Sequence, residues 1–429
     1  MRSAPSIGRA TARLLTCTVL ACAFWVSQTA PARAARPETL GSLRHALAVQ
    51  QRAAGHHSGA EVLDLTTGRV LYAAAATAPR LPASVEKIYT TSTALLRFGP
   101  DATFATQLLG VGSLDSAGTW AGTLYLRGGG DPTFGSDAFD AANYGAGATV
   151  EQLVSNLLAT VPMQTFTGNV VGDESWFDSL RGTPPYRFRA ASDISGQLSA
   201  LAYDRGFVNA NWTGFQPKPP VFAAQQLVKA LRAAGVSVRH GIQASAGVTP
   251  VNAGLLASVQ SPTLTTLLAL TNAPSDNFFA ETLLKDLGAA YGGAGSSAAG
   301  ASVVTAEVAS EFGIHPQLED GSGLSRRDRT SPSDVVRDLT GMAGDGAFVS
   351  SLAVAGRSGT LVHRMRGTAA AGRCEAKTGT LHDVSNLAGY CQAVDGHTLA
   401  FAFLMNSVNP DSAHSVQDAM AVALAQYAG

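Results

Sequence analysis

Ser84, Lys87, Ser275, Asn277 and Lys377 are the residues whose types and spacing could do chemistry, and they fall in Ser84-Val85-Glu86-Lys87, Ser275-Asp276-Asn277 and Lys377-Thr378-Gly379. Positions i and i+3 of a helix share a face, so Ser84 and Lys87 can touch. A helix N-terminus also puts Ser84 where backbone N–H groups point outward, which places it as a nucleophile. An alcohol needs a base, and a lysine with a reference pKa near ~10.4 stays protonated at neutral pH unless burial or a second cation favours its neutral form. Lys377 is the expected second cation. In the expected chemistry Lys87 takes the Ser84 proton during acylation, Ser275 relays a proton to the leaving amine, and Asn277 bonds a substrate amide. Lys377 and Thr378 would hold a terminal carboxylate. Gly379 would let substrate lie against a strand, and the N–H groups of Ser84 and Thr380 would form an oxyanion hole. Each element alone is a weak signal, since Ser-x-x-Lys occurs in many helices as a solvated pair and Lys-Thr-Gly is more often a turn. Their order, with a helix after the first and an apolar strand around the third, is what points to a site.

The elements that must position these residues are legible in outline. A helical stretch near Leu43 to Ala53 precedes an alternating run from Ala60 to Tyr72 that turns at Thr67-Gly68, a hairpin signal. Ile88, Thr91, Ala94, Leu95 and Phe98 recur at helical spacing after Pro82 and stop before Gly99-Pro100, predicting a buried helix from Ser84 to Phe98. From Thr103 to Val251 the pattern changes to short strand-like runs, Phe104 to Leu109, Thr123 to Arg127 and Gly168 to Asp173, with one helix near Ala223 to Ala233. Helical patterns dominate from Leu264 to Phe312, and Ser275-Asp276-Asn277 lies in a break between them. Strands Glu375 to Leu381, Asn386 to Val394 and Thr398 to Met405 then lead to a closing helix from Ser412 to Tyr427. An α/β domain split by a β-rich insertion is the expected architecture, and no internal repeat is present.

The 429 residues, 46% apolar and 14% charged, can bury a large core. Thirty basic and thirty-one acidic residues nearly cancel, so nothing in the charge points to nucleic acid or an anionic membrane. Arg2, Arg9 and Arg13 precede the apolar run Leu14 to Val26 and the small-x-small site Ala32-Arg33-Ala34. That reads as a signal peptide over 1–34 and an exported protein of the periplasm or cell-wall zone, with no membrane span after cleavage. A lipoprotein site at Cys22 fits poorly after Val19-Leu20-Ala21. Of four cysteines only Cys374 and Cys391 would remain. A two-residue turn at His382-Asp383 would set them opposite each other, so a disulfide is expected, with two buried thiols as the alternative.

Leu81-Pro82-Ala83-Ser84-Val85-Glu86-Lys87-Ile88-Tyr89-Thr90, Asp320-Gly321-Ser322-Gly323-Leu324-Ser325-Arg326 and Ala376-Lys377-Thr378-Gly379-Thr380-Leu381 resemble class C low-molecular-mass penicillin-binding proteins. Gly128-Gly129-Gly130-Asp131-Pro132 and Ser351-Leu352-Ala353-Val354-Ala355-Gly356 extend the likeness over nearly all of the mature chain. That family comprises D-alanyl-D-alanine carboxypeptidases and endopeptidases. The resemblance implies a penicillin-binding transpeptidase or β-lactamase-like domain, an antiparallel sheet flanked by helices, split between its first two motifs. The expected parts are 35–102 and 256–429 for the catalytic domain and 103–255 for the insertion. It further implies hydrolysis of peptidoglycan stem peptides ending in D-Ala-D-Ala through an acyl-enzyme on Ser84, covalent binding of β-lactam antibiotics, and no metal or organic cofactor. The chain departs from the family in a shorter insertion, the loss falling between Asn211 and Ala223, and in Asp328, where the family usually has Asn.

Other readings are weaker. Gly128-Gly129-Gly130-Asp131 lacks the Gly-Lys-Ser/Thr ending of a phosphate loop and reads as a tight turn. The nine histidines show no His-Glu-x-x-His spacing and read as surface residues, His56-His57 in a loop among them. A Ser-His-Asp hydrolase is disfavoured by the absence of Gly-x-Ser-x-Gly, although His382 or Asp383 could sit near a serine. Trp176 and Tyr203 could contact substrate, but aromatics in patterned segments are usually core. A serine β-lactamase shares the acylation chemistry, yet no Glu-based element for deacylation stands out between Ser84 and Ser275. A non-catalytic envelope scaffold would most simply have lost Ser84 or Lys87.

Overall fold

A computed structural model describes residues 38–209 and 211–429; the expected signal peptide over 1–34 lies outside them. Helix α1 (Leu40–Ala53) leads into the hairpin β1 (Ser58–Asp64) and β2 (Arg69–Ala74), and a 3₁₀ turn (Ala83–Glu86) runs directly into α2 (Lys87–Phe98). There follow β3 (Ala105–Leu114), β4 (Thr119–Arg127), α3 (Asp137–Asn143), α4 (Val150–Thr160), β5 (Thr165–Phe166), β6 (Asn169–Asp173), α5 (Pro219–Ala233), β7 (Ser237–Val238), β8 (Ala244–Ala246) and β9 (Gly254–Gln260). The rest comprises α6 (Leu264–Asn272), α7 (Asn277–Tyr291), α8 (Ser297–Phe312), α9 (Pro332–Met342), α10 (Gly346–Ser350), β10 (Ala353–Val354), β11 (Cys374–Leu381), β12 (Val384–Gln392), β13 (Thr398–Asn406) and α11 (Pro410–Gln426).

One sheet has the order β10-β11-β12-β13-β1-β2 and is antiparallel throughout. Its first and last strands in sequence, β1 and β13, pair directly, so the two ends of the chain build one layer. Strand β13 is an almost unbroken apolar run because both of its faces are covered. Its Leu399, Phe401, Phe403 and Met405 pack with Leu43 and Leu47 of α1 and Met420 and Leu424 of α11. Ala400, Ala402 and Leu404 face the opposite cluster, with Val85, Ile88, Phe278 and Val335. Each fully buried Phe stabilises the layer by about 1.5–3 kcal/mol relative to exposure.

Helix α2 runs through that second cluster, every residue from Lys87 to Leu95 being buried. Three of its hydroxyls are satisfied locally or by neighbours: Thr91 Oγ1 donates to Lys87 O at 2.6 Å, Thr90 Oγ1 to Gly321 O at 2.9 Å, and Ser92 Oγ to Asp338 Oδ2 at 3.0 Å. Gly99, at φ 85°, ends the helix just before Pro100.

The second sheet is mixed, with β3 antiparallel to β4 and β9, and β4 parallel to β5 and β6. It ends with β9 at Gln260. The segment is less purely β than expected, since α3, α4 and α5 lie in it and α4 and α5 supply Leu153, Leu157, Leu227 and Leu231 to its core. Among the described residues no helix is long and apolar enough to cross a membrane.

Candidate active site

Ser84, expected to open the regular helix, sits instead in the tighter 3₁₀ turn, and the α-helix begins three residues later, at Lys87. The segment before it is tied to the sheet by two asparagines. Asn386 Nδ2 donates to Leu81 O at 2.9 Å and Pro82 O at 2.6 Å, while its Oδ1 accepts from Met405 N at 2.8 Å. Asn406 Oδ1 accepts from Leu81 N at 2.8 Å. Ala83, at φ 45°, is a left-handed non-glycine residue, a strained backbone held by these surroundings.

The Lys87 side chain, completely buried, brings the first two motifs together. Its Nζ lies 3.0 Å from Ser84 Oγ, 2.6 Å from Asn277 Oδ1 and 2.8 Å from Ser322 O. An ammonium would donate to all three; a neutral amine donates to the two carbonyl oxygens and turns its lone pair to the Ser84 hydroxyl. Burial lowers the Lys87 pKa to about 8, against the opposing pull of Glu281, Asp320, Asp276 and Glu86. Asn277 Nδ2 donates onward to Asp193 O at 2.6 Å.

Strand alternation explains the third motif. Cys374 and Ala376 of β11 face the α11 side, so Lys377 and Gly379 face the other way, toward the Ser84 turn. A Cβ on Gly379 would stand 2.7 Å from Pro82 O and 3.1 Å from Ser84 N, so only glycine permits this approach. Lys377 Nζ donates to Ser275 Oγ at 2.7 Å and to Thr378 O at 2.8 Å. Burial first, and then the nearby Lys87 charge, push its pKa well below the usual lysine range. Thr378 Oγ1 donates to Thr360 Oγ1 at 2.8 Å, and Thr380 is exposed at the strand end. Leu381 pairs with Val384, which leaves the two-residue turn at His382-Asp383 and sets Cys374 opposite Cys391; the two are joined as a disulfide with Cα atoms 4.1 Å apart.

Ser275 is itself left-handed, at φ 64°. Two contacts fix the residue after it. Asp276 caps α7 by accepting from Phe279 N at 3.0 Å, and both of its oxygens accept from the Arg205 guanidinium at 2.8 Å. Arg205 is 1% exposed and lies over the rings of Phe278 (4.7 Å) and Trp212 (4.9 Å). Sequence reading missed Arg205, 71 positions from Asp276, because no pattern links two such distant residues. It also missed Asn386 and Glu281; Glu281 Oε1 accepts from Gly321 N at 3.0 Å and Ser322 N at 2.8 Å and so holds the loop that carries the Ser322 carbonyl. Tyr203 is core, as its pattern implied, whereas Trp176 is 43% exposed and its indole donates to Asp286 Oδ1. Gly128 to Asp131 form a turn pressed against α7, where a Cβ on Gly130 would overlap Asp286. Asp383 is paired with Arg326 at 2.8 Å.

The profile of the D-Ala-D-Ala carboxypeptidase 3 (S13) family matches residues 42–218 and 215–427. The chain belongs to this family. A D-alanyl-D-alanine carboxypeptidase of Actinomadura sp. (strain R39) is 31% identical over 460 residues, covering 87% of this chain and 82% of that protein. Carboxypeptidase DacB of Mycolicibacterium smegmatis is 29% identical, covering 85% and 79%. The fold is that of penicillin binding protein 4 from Haemophilus influenzae, with a TM-score of 0.71, 21% identity and coverage of 87% and 97%. A predatory peptidoglycan endopeptidase of Bdellovibrio bacteriovorus is more distant, with a TM-score of 0.51, 18% identity and coverage of 82% and 86%. The protein is therefore a D-Ala-D-Ala carboxypeptidase, a hydrolase of the penicillin-binding type, with the mixed α/β fold expected from its sequence.

Proposed function

We propose that this S13 enzyme cleaves peptidoglycan stem peptides ending in D-Ala-D-Ala through an acyl-enzyme on Ser84, with Lys87 as the base. The observation that carries the reading is Lys87 Nζ 3.0 Å from Ser84 Oγ while bonded to Asn277 Oδ1 and Ser322 O, an orientation that leaves a neutral amine one direction in which to accept a proton. Ser84 Oγ attacks the penultimate D-Ala carbonyl as its proton passes to Lys87 Nζ. The N–H groups of Ser84 and Thr380 receive the oxyanion. Ser275, bonded to Lys377, relays a proton to the leaving nitrogen, the C–N bond breaks, and Asn277 holds the substrate amide. Water then attacks the ester and regenerates Ser84. Lys377 and Thr378 take the terminal carboxylate; an anion beside Lys377 favours its ammonium form, so substrate binding draws a proton onto a group that burial otherwise disfavours charging.

The same chemistry makes a β-lactam a substrate whose acyl-enzyme hydrolyses slowly. Action on cross-links, as a DD-endopeptidase, would need the leaving D-Ala replaced by a second stem peptide. Residues 1–34 would direct export to the cell-wall zone, and the segment between the two catalytic parts would be an inserted domain, a division supported by its separate sheet and core.

The test is intact-mass measurement of the mature protein and of Ser84→Ala after incubation with benzylpenicillin, followed by peptide mapping. One penicillin adduct on the Ser84 peptide, absent from the variant, is expected. Rapid loss of drug with no adduct would replace this reading by a β-lactamase, and an intact drug with no adduct by a non-catalytic scaffold.

A further inference from the structure

Directly beneath Lys87 lies a group of carboxyls that the proposed mechanism does not use. Glu86 of the 3₁₀ turn, Asp320 and Asp328 of the loop before α9, and Glu281 of α7 are each fully buried. Ligand-type oxygens of Glu86, Asp320 and Asp328 all lie within 4.8 Å of one another. Three of the four groups spend one oxygen on the backbone: Asp320 Oδ1 accepts from Gly323 N at 2.8 Å, Asp328 Oδ1 from Glu319 N at 2.8 Å, and Glu281 Oε1 from Gly321 and Ser322. Glu86 spends neither. Among the described residues no donor reaches Glu86 Oε1 or Oε2, Asp328 Oδ2 or Asp320 Oδ2.

The cations nearby do not neutralise the group by contact. All three bonds of Lys87 go to Ser84, Asn277 and Ser322, and the Arg329 guanidinium donates to the main-chain oxygens of Arg326 and Asp328. Tyr89 shares its hydroxyl bond with Thr330, and Lys377 is engaged by Ser275. Two facing carboxylates in a dry interior repel strongly, whereas one proton between them converts the contact into an O–H···O bond. We infer that Glu86 and Asp328 share one proton, and that this pair is a positioning element which limits the negative charge felt by Lys87.

The chemistry of the neighbouring chain fits. An Asn at position 328 would supply an amide donor to Glu86; with Asp328 the donor has to be a retained proton. Burial, followed by the neighbouring carboxyls, raises Glu86 well above the ordinary range and Asp328 to about 8, in the same direction as the geometry. Glu281 is raised to about 8 and Asp320 to about 6, again mainly by burial. The pair with its proton carries one negative charge. Losing that proton would add a second and raise the Lys87 pKa, reducing the neutral base.

The inference rests on the assignment of Lys87 as base, and its test separates the two. Glu86→Gln, Asp328→Asn and the double variant are compared with wild type. At neutral pH wild type minus Asp328→Asn should show an infrared carbonyl band of an un-ionised carboxylic acid, and wild type minus Glu86→Gln the same band. Each single variant keeps one negative charge, so its pH profile of acylation by benzylpenicillin should overlay the acid limb of wild type. The double variant keeps none, and its acid limb should move about one pH unit lower. If one single variant does not fold, the other still supplies the difference band and the acid limb. Absence of the band from both differences, or a tightly held divalent cation in the purified enzyme whose removal lowers Tm, would overturn the shared proton. A band lost on substitution with an unmoved acid limb in the double variant would uphold the shared proton and overturn its effect on Lys87, whereas a wild-type profile with no acid limb at all would overturn the assignment of Lys87 as base.

Discussion

Replacing Arg205 by Met should uncouple the segment around Arg205 from the second motif. The guanidinium makes both of its 2.8 Å bonds to Asp276, whose neighbours Ser275 and Asn277 make the Lys377 and Lys87 contacts. Methionine retains apolar contact with Phe278 and Trp212 but leaves the Asp276 carboxylate alone. Removing one partner of a fully buried pair costs about 3–5 kcal/mol, and since the Asp276 side chain is 19% exposed the loss here should be about 2–3 kcal/mol. A shift of roughly 1 Å in a reacting group costs on the order of 100-fold in rate. The assay is the second-order rate of acylation by a fluorescent penicillin, with calorimetric Tm measured in parallel. A second variant isolates charge from capping, because Asn at 276 still caps α7. The pair Arg205→Met with Asp276→Asn should recover about 1–2 kcal/mol relative to Arg205→Met while remaining slow. If Arg205→Met acylates within about threefold of wild type while Tm falls, the ion pair only holds two segments together and the positioning role is wrong.

Three further outcomes follow from the geometry. With Lys87 depressed by burial to about 8 and active as the neutral amine, acylation should rise about tenfold per pH unit below that value and level off above it; a rate flat from pH 6 to 9 would contradict this. Gly323→Ala puts a Cβ 1.9 Å from Ala83 O at a position with φ 79°, so it should displace the Ser84 turn, cost about 1–3 kcal/mol and slow acylation by at least about tenfold, as read from Tm and the same fluorescent assay. Cys374→Ala with Cys391→Ala removes a crosslink of sequence separation 17 and should lower stability by about 3 kcal/mol in urea titration, while the acylation rate of the folded fraction stays near wild type because the disulfide lies on the α11 side of β11.

Much of the site was legible because its spacings are local. Ser84 and Lys87 are three residues apart, Lys377 to Gly379 are consecutive on one strand, and Cys374 and Cys391 are symmetric about a two-residue turn. Such relations follow from helix and strand periods alone. The segment between the first two motifs was read less well. Helix α4 was missed, although Val150, Leu153, Val154 and Leu157 have helical spacing, and the pairing of β9 with β3 joins segments too far apart in sequence for any local pattern to record.

The sequence by itself determined the family, the order of the motifs, the identity of the nucleophile candidate and the strand that carries Lys377. Tertiary structure alone decided what each buried charge meets: that Lys87 is wedged between Ser84, Asn277 and the Ser322 carbonyl, that Arg205 reaches Asp276, and that Glu86 faces Asp320 and Asp328 with no donor among the described residues. The reason is physical. Local order is set by backbone periodicity, which a linear pattern records, whereas the charge state of a group depends on desolvation and on the few atoms within several ångströms, and those are supplied by segments from anywhere in the chain.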